Sequence, residues 1–173
     1  MYLVECYNDE TLLLALGVGR QQIRRMRGKA NVVGRLRKNP NALNVGMVDR
    51  DRHSENPVPM DDFRVVSNNN GVEGRIKGKT RLVILDDNLE DWIIKAFAEG
   101  KRDLKKKRLA DYGLPAKPTE LHRIESRVAD VALTALIKDL DAAGLSHLAS
   151  LRLGLGLSVK GKRKSSSKAK GGQ

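Results

Sequence analysis

Cysteine is nearly absent: Cys6 is the single thiol in 173 residues. No intrachain disulfide is open to it, and a reducing cytoplasm is the expected compartment. Aromatic residues make up only 3% of the chain, too few for base-stacking platforms to dominate any recognition. No apolar run approaches the roughly 18 residues of a membrane span. The first residues also lack a basic segment followed by a long apolar stretch, so neither membrane insertion nor secretion is expected. The three histidines and one cysteine are scattered rather than set at zinc-ligand spacing. Acid is missing where it matters most. From Thr11 to Val48 there is no Asp or Glu, while Arg20, Arg24, Arg25, Arg27, Lys29, Arg35, Arg37 and Lys38 all fall there.

What is present is positive charge. The formal charge is +12 and the isoelectric point is near 10, which points to nucleic acid or another polyanion as partner. The end of the chain accounts for half of it: Lys160, Lys162, Arg163, Lys164, Lys168 and Lys170 carry six charges, and without them the body keeps +6. The length suits one domain with a proper core and an appendage.

Two short acidic motifs each close an apolar run. Tyr2-Leu3-Val4-Glu5 opens the chain, and Val45-Gly46-Met47-Val48-Asp49-Arg50-Asp51 follows. In open α/β sheets, carboxylates at the ends of buried strands converge on the crevice where ligands sit. Three carboxylates in such proximity repel unless a cation holds them, and hard divalent ions prefer oxygen donors.

Periodicity alternates strand and helix. Strands are expected at 2–6, 23–26, 42–48, 63–67 and 81–85, the last two joined by the Asn68-Asn69-Asn70-Gly71 turn and an irregular connection. Helices are expected at 9–16, capped by Asn8 or Asp9, at 30–38, ended by Asn39-Pro40, and at 89–98. Residues 52–59, with two prolines, read as a surface loop. Beyond Gly100 the chain changes character. A basic helix is expected over 101–109, with Lys105, Lys106 and Lys107, then a Pro115–Pro118 hinge, a long amphipathic helix over 119–143 and a short one over 144–155. The division is an α/β domain over 1–99, a helical appendage over 100–157 and a disordered basic tail over 158–173.

The order strand, Glu5, helix, then a strand ending in Asp49-Arg50-Asp51, resembles the TOPRIM domain of topoisomerases, primases and small nucleases. The finer likeness is to TOPRIM nucleases of the overcoming-lysogenisation-defect type and related phage-defence proteins. Their V-E-G-x-x-[DE] motif is similar to Val4-Glu5-Cys6-Tyr7-Asn8-Asp9, with Cys6 in place of the glycine. Their later helix-borne glutamate resembles Glu90 within Leu85-Asp86-Asp87-Asn88-Leu89-Glu90-Asp91-Trp92-Ile93. The likeness spans residues 1–98 and implies a Rossmann-like sheet flanked by helices. It also implies phosphodiester cleavage with Mg²⁺ or Mn²⁺, at two ions about 3.5–4 Å apart. Glu5, Asp49 and Asp51 would hold the ions, with Asp9 and Glu90 sharing the second. Lys29 would face the scissile phosphate, and His53 would donate a proton or bond a ligand from outside. Arg24, Arg25, Arg27, Lys29, Arg35, Arg37, Lys38, Lys105, Lys106 and Lys107 would bind nucleic acid. Relatives of this type usually work with an ABC-type ATPase, so such a subunit is an implied partner, and self-association stays open.

Plainer readings stand beside these. Glu5 and the D-x-D are also what solvated acids at strand ends look like, Asp9 a helix cap, and Glu90 a first-turn acid favoured by the helix dipole. His53 and Lys29 suit a surface equally well, and Trp92 suits the core. Gly78-Lys79-Thr80 imitates a phosphate loop, but Glu73 stands where its first glycine belongs and a strand follows instead of a helix. Gly17-Val18-Gly19 reads as a helix stop. A phosphatase of the haloacid-dehalogenase class, which forms an aspartyl-phosphate, carries its D-x-D on the first strand, and the first strand here ends in Glu5. Two further function classes remain: a non-catalytic nucleic-acid binder of TOPRIM shape, and a regulatory subunit of an ATPase complex. For the latter, Val128, Val131, Leu133, Leu136 and Ile137 form an apolar stripe suited to docking, or to packing on the chain's own sheet.

Overall fold

Short runs that are apolar on both faces, such as Leu82-Val83-Ile84-Leu85, are what the inner strands of a covered sheet require. In the computed structural model all four of these side chains are buried. Residues 1–50, 58–86, 88–100, 104, 107–115, 117, 120–121 and 127–159 are described. The strands are β1 (Tyr2–Val4), β2 (Ile23–Arg25), β3 (Val45–Asp49), β4 (Arg64–Asn69), β5 (Val72–Lys77) and β6 (Thr80–Leu85). They form one mixed sheet in the order β2-β1-β3-β6-β5-β4. The first four in that order run parallel, whereas β6, β5 and β4 pair antiparallel.

Helices cover both faces. These are α1 (Tyr7–Ala15), α2 (Lys29–Lys38), α3 (Leu89–Glu99), α4 (Arg127–Ala142) and α5 (Ser146–Leu155). Strand alternation sends Val4, Met47, Val83 and Leu85 to one side, where Leu12, Trp92, Leu136 and Leu151 of α1, α3, α4 and α5 meet them. Leu3, Val48, Leu82 and Ile84 point the other way, onto Val32, Val33 and Leu36 of α2 and onto Phe63. Each such buried aliphatic side chain contributes about 1.5–3 kcal/mol. The α2 helix lies so close to β3 that a Cβ on Gly46 would sit 2.7 Å from Leu36 Cδ1 and 2.8 Å from Val32 Cγ1. Any side chain there would force Leu36 and Val32 to shift.

The α/β class with flanking helices stands, and the structure amends the elements in three places. First, α1 begins at Tyr7 with Cys6 as its cap; Asp9, in the third position, accepts the Cys6 N–H at 3.0 Å from inside the helix. Second, Val72–Lys77 is a full strand where an irregular connection was expected. Its Val-Glu-Gly-Arg pattern hid this, because Glu73 is buried against arginines rather than solvated. Gly78 and Lys79, in the phosphate-loop imitation, form the turn between β5 and β6. Third, Leu109–Tyr112 is a 3-10 turn rather than the end of a basic helix. Of the stripe suited to docking or to packing on the chain's own sheet, Leu133, Leu136 and Ile137 pack into the core with α1, α3 and the sheet, while Val131 faces outward at 72% exposure. The Val128 side chain, most of the 101–109 segment, residues 116 and 118 of the hinge, residues 122–126 and the chain from 160 onward lie outside the described residues. Among the described residues no helix is long and apolar enough to cross a membrane.

Candidate functional site

Strand order locates the site. The chain leaves β1 through α1 to β2 on one side, then returns through α2 to β3 on the other side of β1. The two crossovers lie on opposite faces of the sheet. Between β1 and β3, beyond their carboxyl ends, the topology therefore opens the crevice in which doubly wound sheets hold ligands.

Glu5 immediately follows β1, and Asp49 closes β3. Glu5 Oε1 accepts the Asp49 backbone N–H at 2.8 Å, so residues 44 apart in sequence are tied directly. The continuation of β2 borders them: the Met26 N–H donates to Val4 O at 2.8 Å and the Arg27 N–H to Glu5 O at 3.1 Å. Arg27 and Gly28 then take φ values of 58° and 121°, a left-handed pair that turns the chain sharply into α2. Lys29, the first residue of that helix, is brought to the same edge and is 9% exposed.

Asp9 sits beneath Glu5. Its Oδ2 accepts the N–H groups of Glu5 at 3.1 Å and Cys6 at 3.0 Å, so from the third position of α1 it pins the backbone that carries Glu5. At 2% exposure, burial pushes its carboxyl up to about 6 against the pull of those bonds, and the charge of Glu90 adds to the rise. Glu90, the second residue of α3, is buried and accepts Asn8 Nδ2 at 3.0 Å. Asn88 caps that helix, its Oδ1 accepting the Asp91 N–H at 2.8 Å.

The expected cationic wall is divided. Arg25 is held by buried Glu10 at 3.0 Å and lies over the Tyr7 ring. Arg37 forks onto Asp62, whose carboxyl it holds well below the usual range. Lys107 pairs with Asp139 at 2.8 Å, beside Tyr112. Arg24, Arg27, Arg35 and Lys38 are exposed and meet no carboxylate among the described residues. At 1.5 Å rise per residue, the end of α2 carries Lys38 about 13 Å from Lys29, toward the opposite edge of the sheet. Of that group, Arg27 borders the crevice.

Asp51, His53, Lys105 and Lys106 lie outside the described residues. Among the described residues no three His, Cys, Asp or Glu side chains gather to hold a metal ion. The donor chemistry at the crevice nevertheless suits a hard divalent ion, since Glu5 and Asp49 offer carboxylate oxygens from neighbouring strand ends. Sequence reasoning missed Arg50, whose Nη2 donates to Glu73 at 2.6 Å and whose Nε lies 2.9 Å from Asp86. An arginine between two acids was the only local signal; its partners depend on the β5–β6 register.

Comparison with protein-family models, with curated proteins and with solved structures finds no match for this chain.

Proposed function

We propose that this chain is a TOPRIM-type nuclease that cleaves phosphodiester bonds of DNA or RNA with Mg²⁺ or Mn²⁺. The observation that carries the reading is the pairing of Glu5 with Asp49 at the carboxyl ends of adjacent parallel strands, at the switch point of the sheet. Those two residues hold the ion, joined by Asp51 from the sequence motif. The ion, when bound, polarises the phosphodiester and lowers the pKa of an attacking water. Arg27 and the first turn of α2 with Lys29 present positive charge to the phosphate beside it. Asp9 keeps Glu5 in place through its backbone bonds. The likeness to phage-defence nucleases supports a defensive role beside an ABC-type ATPase.

The test is cleavage of labelled single- and double-stranded DNA and of total tRNA with Mg²⁺, Mn²⁺ or EDTA, wild type beside Asp49→Asn. Metal-dependent cutting that falls by roughly a hundredfold or more in the variant, about 3 kcal/mol of transition-state stabilisation, is the expected result. Equal traces for both proteins would sink it.

A second reading has its own observation. Among the described residues Glu5 meets Asp49 through the backbone N–H of Asp49, and no three acids gather there, which suits a nucleic-acid-binding or regulatory subunit of TOPRIM shape without catalysis. It predicts binding that is steep in salt and indifferent to Mg²⁺.

A further inference from the structure

Arg50 stands between the two acids of the D-x-D motif, and a cation there opposes a divalent site unless something answers it. The structure answers it twice. The Arg50 N–H donates to Leu85 O at 2.9 Å, extending the β3–β6 ladder one residue past Asp49. Its guanidinium then crosses β6: Nη2 reaches Glu73 Oε2 on β5 at 2.6 Å, and Nε lies 2.9 Å from Asp86 Oδ1 at the end of β6. Glu73 is the interior member, its side chain 8% exposed, and its other oxygen accepts Arg75 Nε. Arg75 is anchored in turn, its Nη1 donating to Met60 O at 2.9 Å. The chain thus reaches from the residue after Asp49 to the middle of the antiparallel half of the sheet.

We propose that Glu73 is a positioning residue for the strand-end metal site, acting through Arg50 to hold Asp49 against Glu5 and to neutralise the cation beside them. The inference rests on the metal-dependent reading above. Two consequences of Glu73→Gln point the same way. Arg50 loses its interior anchor, so the backbone after Asp49 keeps its bond to Leu85 O but not the side-chain tie into the sheet, and the Arg50 charge, with Asp86 as its remaining carboxylate among the described residues, repels an incoming dication. Partners one step removed from a ligand typically change metal affinity by about 10- to 100-fold.

The experiment measures Mn²⁺ binding to the full chain by the loss of the free-ion electron paramagnetic resonance signal. It compares wild type, Glu73→Gln, Arg50→Lys and Asp62→Asn. Asp62→Asn breaks the ion pairs to Arg37 and Lys77, on the same face of the sheet but away from the crevice, and controls for lost ion pairing as such. Glu73→Gln is expected to weaken binding by roughly tenfold or more. Arg50→Lys, which keeps the charge but cannot fork onto Glu73 and Asp86 together, is expected to weaken it less. Asp62→Asn is expected to bind as wild type does. Wild-type affinity in folded Glu73→Gln overturns the proposal, as does equal weakening in Asp62→Asn. Should Glu73→Gln fail to fold, Arg50→Lys decides on the same terms. A wild type that binds no Mn²⁺ removes the metal-dependent reading itself, a result distinct from any difference among variants.

Discussion

Two arginines show how differently one chemistry serves two regions of this molecule. Arg152, on α5, is buried with Asp141 of α4, donating through Nε and through Nη2 at 2.7 Å. Its remaining donors reach Leu16 O at 3.1 Å and Ser158 O at 3.0 Å, so one side chain ties α4, α5 and the end of α1 together. Arg50, at the carboxyl edge of the sheet, meets two carboxylates where Arg152 meets one, but the Asp86 side chain is 36% exposed and solvent reaches the cluster. An arginine whose carboxylate partner is wholly buried holds elements together. One answered partly from the rim holds its neighbours in sequence, and here one neighbour is Asp49.

The contrast is broken most severely by Arg152→Ala. Asp141 would be left as a buried carboxylate without its main partner, and a loss of about 3–5 kcal/mol in unfolding free energy is expected from chemical denaturation. Asp49→Asn, at the rim, should change the same measurement by less than about 1 kcal/mol. A similar cost from both would erase the distinction. Gly46→Ala comes next: its methyl would drive into Leu36 and Val32, and a loss of about 1–3 kcal/mol is expected. Because α2 carries Lys29 to the crevice, the same variant should also weaken nucleic-acid binding, read by fluorescence anisotropy.

A smaller effect belongs to Glu99, which accepts the Ser146 N–H at 3.0 Å and the His147 ring, closing the start of α5 from α3. Burial alone would raise its carboxyl, but the His147 and Ser146 bonds outweigh that and hold it at about 2. A depressed carboxylate contributes stability above its unfolded value of about 4.3 and loses it as pH falls toward 2. Glu99→Gln should therefore cost about 1 kcal/mol at neutral pH, and thermal melts of variant and wild type should converge across that acid window.

Much of the parallel half of the sheet was legible because its signals are local. Leu12, Leu13 and Leu16 repeat at helical spacing, Val32, Val33 and Leu36 do likewise, and Asn39-Pro40 stops α2. The antiparallel half was less so. Glu73 and Arg75 make β5 look solvated in sequence, and only pairing with Arg50 explains their burial. At the site, Glu5 and Asp49 were legible as acids ending apolar strands. That Arg25 answers Glu10 and Arg37 answers Asp62 was not, since neither partner lies near in sequence.

The sequence by itself determined which residues turn inward along each element, because side-chain period is a local property of strand and helix. It also determined that carboxylates would terminate apolar strands within a cationic chain. Only the tertiary structure decided that β1 lies beside β3, so that the Asp49 N–H meets Glu5, and that β5 folds back to hand Glu73 to Arg50. Adjacency of that kind is set by which distant surfaces bury one another best, and no local repeat encodes it.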